Sequence, residues 1–240
     1  MPPRPIAILV CGRTVPPLVP RRGDFPDWFR AGLGLDAALA PAIDLPSGAE
    51  PPPIEDLAGA VVTGSPAMVT GAEPWSLGAE AWLARAHRGG LPILAVCYGH
   101  QLLARALDGA ADWNPRGREI GTVEVELTEA GERDSLLGGL GSPLVVQESH
   151  SQSVTRLPDG AVLLAANARD PHQAFRLGER SWGVQFHPEF DAEIMRGYLA
   201  HRAGDLREEG LDPAALADAT RDSPHGAAIL GRFAALAHGE

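Results

Sequence analysis

The sequence predicts an α/β fold. A central, mostly parallel sheet is flanked by helices in three layers, with a mixed or antiparallel extension and a short helical C-terminal tail. Three observations lead there. In the first half, short apolar runs alternate with segments whose apolar residues recur at helical spacing, the pattern of βαβ units and a parallel sheet. In the second half, strand-like runs succeed one another with little helix between them. From Glu193 onward, helical spacing returns.

Residues 5–10 read as a buried strand ending at Cys11-Gly12, and residues 24–33 as a helix with Trp28, Phe29 and Leu33 on one side. Residues 58–62 form a second strand, stopped by Thr63-Gly64-Ser65-Pro66. Residues 77–88 read as a helix and residues 92–96 as a third strand. A further helix over residues 101–107 begins almost at once and ends at Gly109. The later strand-like runs are residues 121–127, 144–147, 161–166, 173–177 and 182–186. The tail reads as two helices broken by Asp212-Pro213 and Ser223-Pro224. No linker divides the chain, and no repeat is visible.

With 240 residues, 45% of them apolar, the chain can bury one proper core. It carries 31 acidic and 20 basic side chains, a net charge of −11. That balance argues against binding nucleic acid or anionic membrane surfaces. All the basic residues are arginine. The absence of lysine excludes a Schiff-base lysine, a lysine general base and a P-loop. No run approaches the ~20 apolar residues of a membrane span, and the first apolar run is too short for a signal peptide. The two cysteines, Cys11 and Cys97, make neither a disulfide framework nor a metal cluster, and Asp170-Pro171-His172 lacks partners at ligand spacing. A cytoplasmic protein with free thiols is expected, with no cofactor and no metal.

Ala95-Val96-Cys97-Tyr98-Gly99 stands where a buried strand gives way to a helix. Small residues two before and two after the centre suit a tight strand–turn–helix elbow, which exposes its central side chain at the C-terminal edge of the sheet. Ligands bind at that edge in open parallel sheets. The helix N-terminus favours a thiolate there. A cysteine nucleophile wants a base, and the base an orienting carboxylate. His187-Pro188-Glu189 offers both at another strand end, with Pro188 stiffening the corner.

The segment from Pro92 to Gln101, taken with Gly183 to Glu189, resembles the class I, triad-type glutamine amidotransferases, over about residues 5–199. Within that family the chain is most similar to stand-alone members resembling the amidotransferase domain of GMP synthase, on Gly64-Ser65-Pro66, Glu73-Pro74-Trp75, Gly117-Arg118-Glu119, Ser149-His150-Ser151 and Phe186 to Phe190. The resemblance implies a flavodoxin-like three-layer amidotransferase domain over residues 1–204. A helical extension, residues 205–240, would pack on that domain or on a partner. It implies that Cys97 attacks the γ-carboxamide of glutamine, that His187 moves the proton and that Glu189 orients His187. It places an oxyanion hole at the backbone N–H groups of Gly64 and Tyr98. Gln101, Ser149, His150 and Ser151 fall where the family holds the substrate.

Several residues carry a plainer reading beside these. Gln101 equally suits a solvent-facing place in the first helical turn, and the His150 side chain suits a structural role satisfied by Glu148 or Gln152. His100 suits structural hydrogen bonding, Cys11 core packing, and Trp75 either the substrate mouth or surface packing. Arg116-Gly117-Arg118-Glu119 suits a solvated turn with an internal Arg–Glu pair.

The expected activity is hydrolysis of a γ-glutamyl amide. Its ammonia passes to a separate synthase protein, or the chain acts alone as a γ-glutamyl peptide or γ-glutamyl amine hydrolase. A cysteine hydrolase of the dienelactone type is disfavoured, because there the acid precedes the histidine in the chain. A non-catalytic module on the same fold would be marked by loss of a triad member, and all three are present.

Overall fold

The structure, a computed structural model, describes residues 3–239. Strand β1 (Ile6–Val10) is buried at every residue and leads through a short helix α1 (Val19–Arg22) to α2 (Phe25–Leu33). Asp24 caps α2 in a capping box with Asp27. Next come β2 (Ala42–Asp44), β3 (Gly59–Val62), α3 (Pro74–Arg88), β4 (Ile93–Val96) and α4 (Tyr98–Ala106). The middle of the chain holds β5 (Ala110–Trp113), β6 (Glu119–Leu127), α5 (Glu129–Glu132), β7 (Leu144–His150), β8 (Gln152–Arg156), β9 (Val162–Ala166), β10 (Ala174–Leu177) and β11 (Ser181–Val184). The chain closes with α6 (Ala192–His201), α7 (Ala203–Glu208), α8 (Pro213–Ala219) and α9 (Pro224–His238).

Nine strands form one mixed sheet in the order β2-β1-β3-β4-β11-β10-β9-β6-β7. The first five are mutually parallel and the rest join antiparallel. The parallel core and antiparallel extension are those the sequence predicts. Because successive side chains in a strand point to opposite faces, each parallel strand feeds two cores. Ile6, Ile8, Val61, Leu94 and Val96 join one, beneath α2, α6 and α9. Ala7, Leu9, Ala60, Val62, Ile93 and Ala95 join the other, beneath α3 and α4. Helices thus cover both faces, completing three layers.

Some elements differ from the expected ones. Pro74, Pro213 and Pro224 stand in the first turn of α3, α8 and α9. Proline fits there because that N–H needs no partner within the helix. Helix α3 therefore starts at Pro74, three residues before the expected residue 77, and Asp212, expected as part of a break, caps α8 through its carboxylate. Strand β11 stops at Val184, short of the expected Phe186, because the Gln185 and His187 N–H groups turn to the carbonyls of Gln173 and Gln147. Strand β2 and the separate antiparallel ribbon β5–β8 were not expected.

Candidate active site

Three neighbouring parallel strands deliver the site. Val62 of β3 pairs with Ala95 of β4, and Ala95 and Val96 pair with Gly183 and Val184 of β11. The three strands end level, so the residues just beyond them meet at one edge: Gly64 after β3, Cys97 after β4, His187 after β11. The register makes neighbours of residues that lie far apart in sequence.

Cys97 is the turn between β4 and α4 and holds φ 54°, ψ −104°, a strained backbone for a residue with a side chain. Its N–H is tied to the Val184 carbonyl at 2.9 Å. Gly99 permits the elbow, since a Cβ there would lie 2.5 Å from the Val62 carbonyl oxygen. Cys97 Sγ lies 3.9 Å from the Ser149 carbonyl oxygen.

His187 Nδ1 lies 2.7 Å from Glu189 Oε1, both side chains being almost fully buried. The imidazole stacks on Phe190 at 4.1 Å, with Phe25 on a parallel plane at 6.3 Å. These rings fix its orientation and exclude water. Burial alone would lower the pKa of His187, but the charges and hydrogen bonds of Glu189 and Cys97 outweigh it and raise the group to about 10. Gly64 faces the same ring, since a Cβ there would lie 2.8 Å from His187 Cε1. Among the described residues, neither the Gly64 N–H nor the Tyr98 N–H has a backbone acceptor. Cysteine, paired imidazole and carboxylate can therefore serve as nucleophile, proton carrier and orienter.

Below Cys97 lies a buried polar cluster. Glu119 accepts from Gln173 Nε2 at 2.9 Å and Asn167 Nδ2 at 2.8 Å, and His150 Nε2 lies 3.1 Å away. Glu148 lies 3.5 Å from the same nitrogen and is fully buried, with neither oxygen hydrogen-bonded. Burial, then the neighbouring Glu119 and Cys97, push its carboxyl well above the ordinary carboxylate range. Glu119, Glu148 and His150 are close enough to share an ion. Their spacing in the sequence gives no such sign, because β6–β7 pairing creates the group by setting Glu119 opposite His150.

Gln101 is buried rather than solvent-facing, and its amide donates to the Gln152 carbonyl at 2.7 Å and to Gln185 Oε1 at 3.0 Å. It lines the Cys97 cleft with Ser149, His150 and Ser151. The imidazole of His150 is taken up by the cluster and the Gln152 carbonyl. His100 packs between Gly183 and Phe175, and neither ring nitrogen has a partner. Its expected hydrogen bonding is absent, and burial lowers it to about 4, so it stays neutral. Cys11 is fully buried, and burial pushes its thiol far up. Trp75 packs on Tyr98 at 5.6 Å. The expected internal Arg–Glu pair does not form: Arg118 grips Glu209 bidentately while Glu119 turns inward. Phe25 and Tyr198 are site residues the sequence did not disclose; Glu148 stands beside His150 as the sequence allowed, but its contact with Glu119 was not legible there. A cavity of about 940 Å³ opens at the opposite end of the strands and is lined by Arg4, Ile54, Pro92 and Arg180.

The family model for class I glutamine amidotransferases matches residues 46–202, well over half of the chain. The chain belongs to the class I glutamine amidotransferase family. It is similar to a glutamine-hydrolyzing GMP synthase of Aeropyrum pernix, 38% identical over 173 residues, covering 70% of this chain and 32% of that protein. It is also similar to one subunit of the glutamine-hydrolyzing GMP synthase of Methanopyrus kandleri, 32% identical over 179 residues, covering 72% of this chain and 90% of that one. The chain spans about a third or less of the long GMP synthases it matches. A crystal structure of a glutamine amidotransferase from Thermotoga maritima shares the amidotransferase fold, with TM-score 0.77 at 21% identity over 98% of this chain and 99% of that one. Among the described residues, no helix is long and apolar enough to cross a membrane.

Proposed function

We propose that this member of the amidotransferase family hydrolyses a γ-glutamyl amide, glutamine in the first place, through a glutamyl thioester on Cys97. The observation that carries the reading is the meeting of Cys97, His187 and Glu189 at the ends of adjacent parallel strands, with the His187–Glu189 contact at 2.7 Å.

The Cys97 thiolate attacks the γ-carbonyl carbon. The developing oxyanion is met by the Gly64 and Tyr98 N–H groups, preset donors of a kind worth ~10²–10³ in turnover. His187, protonated by virtue of Glu189, gives its proton to the leaving nitrogen, and ammonia departs. A water, deprotonated by His187, then attacks the thioester carbon. The C–S bond breaks, glutamate leaves, its acid proton passing to ammonia or solvent, and the Cys97 thiolate beside protonated His187 is restored. Gln101 and the backbone of Ser149, His150 and Ser151 hold the glutamyl group. None of these steps needs an amine side chain, which accords with a chain lacking lysine. The similarity to a protein that is one component of a multi-chain GMP synthase supports a separate synthase as ammonia acceptor.

Glutamate release from glutamine and from several γ-glutamyl peptides and amines, with Cys97→Ala as control, tests this reading. Hydrolysis that vanishes in the variant is expected. Full activity in Cys97→Ala contradicts the mechanism. Turnover of γ-glutamyl peptides far above that of glutamine removes the ammonia-donor role and leaves a γ-glutamyl hydrolase.

A further inference from the structure

The cleft at Cys97 is also lined by two arginines, Arg118 and Arg202. They differ in one respect. Arg118 is already held by a carboxylate, its Nε and a terminal nitrogen both bonded to Glu209 at 2.8 Å. Arg202 has no such partner: its Nε is buried with no hydrogen bond, and no ion pair among the described residues involves its guanidinium. Other partly buried arginines have partners: Arg22 pairs with Asp191, Arg105 with Glu80 and Arg176 with Asp134, and Arg232 donates to the carbonyls of Leu136 and Gly138. The carboxylate that feels the Arg202 charge, Glu209, is already gripped by Arg118, and among the described residues none makes a direct ion pair with Arg202.

The placement of Arg202 follows from its helix. It ends α6 one turn beyond Tyr198, and residues four apart share a helix face. Tyr198 packs on Phe190 at 4.8 Å, which stacks on the His187 ring. The same face therefore carries Arg202 to the cleft. Leaving a guanidinium N–H buried and unbonded costs free energy, which a ligand acceptor recovers. The planar guanidinium fork fits a carboxylate bidentately.

We propose that Arg202 is a substrate-binding residue that takes a carboxylate of the γ-glutamyl substrate while the scissile amide lies against Cys97. This rests on the function proposed above and adds a requirement to it: the substrate is anionic at the point that reaches Arg202. The carboxylate has two sources, the α-carboxylate of the glutamyl group or one on the amine being released, as in a γ-glutamyl amino acid.

Binding to the Cys97→Ala protein, measured by calorimetry, tests the proposal without turnover. The probes are glutamine, its α-carboxamide, γ-glutamylglycine and γ-glutamylmethylamide. Adding Arg202→Gln is expected to weaken binding of a carboxylate-bearing probe about ten- to a hundredfold. Equal weakening for glutamine, γ-glutamylglycine and γ-glutamylmethylamide, with none for the α-carboxamide, assigns the α-carboxylate. Weakening confined to γ-glutamylglycine assigns the amine side. Arg202→Lys, which keeps the charge but loses the fork, is expected to fall between, and it serves if Arg202→Gln folds poorly. Unchanged affinity for all four probes, or no binding by any of them, overturns the proposal. Arg202-dependent binding in a protein whose unmutated form hydrolyses nothing would retain the subsite and refute the catalytic reading instead.

Discussion

Stacked on Phe190 beside Phe25, with Glu189 on its Nδ1, His187 keeps its proton to about pH 10. Glu189→Gln removes the foremost of the two influences that oppose burial, so the imidazole is expected to drop toward or below its ordinary 6.5. The alkaline limb of kcat/KM then moves toward lower pH, and kcat falls about 10⁴-fold, as for the loss of an orienting carboxylate elsewhere. A pH–rate profile with an NMR titration of His187 checks both. The same shift fixes the sign for stability. A raised imidazole stabilises the fold fully below 6.5 and loses that contribution as pH rises through about 10. The melting temperature of the parent protein is thus expected to exceed that of Glu189→Gln most at low pH, the gap closing above neutrality. Cys97, His187 and Glu189 were legible in the sequence because each sits in a short motif bound to a strand end. The place of Phe25 and the approach of Glu119 to Glu148 were not, because each depends on a neighbour from a distant strand or helix. Arg118 shows the same limit: its partner, Glu209, is supplied by the end of α7.

At the scale of elements, the level ends of β3, β4 and β11 set the geometry, and two glycines guard it. Gly99→Ala drives a methyl into the Val62 carbonyl, so it is expected to cost about 1–3 kcal/mol of stability and to move the elbow. Gly64→Ala places its methyl against the His187 ring instead. Its expected signature is the reverse: a small change in melting temperature with a loss of turnover of about 10²-fold or more. Thermal denaturation beside steady-state kinetics separates the two. The buried strands of the parallel core announced themselves as apolar runs. Strand β2 has three residues, and β5 carries the exposed Asp112 and Trp113, so neither had such a run to show. The prolines misled for a physical reason: the property that breaks a helix interior suits its first turn.

For the whole molecule, the tail is part of the structural core. Ile229, Leu230 and Phe233 of α9 are fully buried, and Phe233 meets Trp182 edge-to-face at 6.4 Å. Phe233→Ala is expected to cost about 3–5 kcal/mol, read by chemical denaturation. Gly226, at the start of α9, lies so close to the His187–Glu189 corner that a Cβ would sit 2.3 Å from the Pro188 carbonyl oxygen. Truncation after Leu206 is therefore expected to lower stability and abolish hydrolysis together, whereas an unchanged melting temperature and rate would refute this role. The helical nature of the tail was readable from its amphipathic spacing. Its buttressing of the His187–Glu189 corner was not, since that depends on two backbones meeting across the fold.

The central claim, a glutamyl-accepting thiolate at the end of β4, is most directly tested by covalent trapping. The protein is incubated with a glutamine analogue bearing an electrophilic carbon in place of the γ-carboxamide, then subjected to intact mass measurement and peptide mapping. One adduct is expected, on Cys97, blocked by excess glutamine and absent from the buried Cys11. Continued glutamate release by a protein that takes up no adduct at Cys97 would contradict the claim.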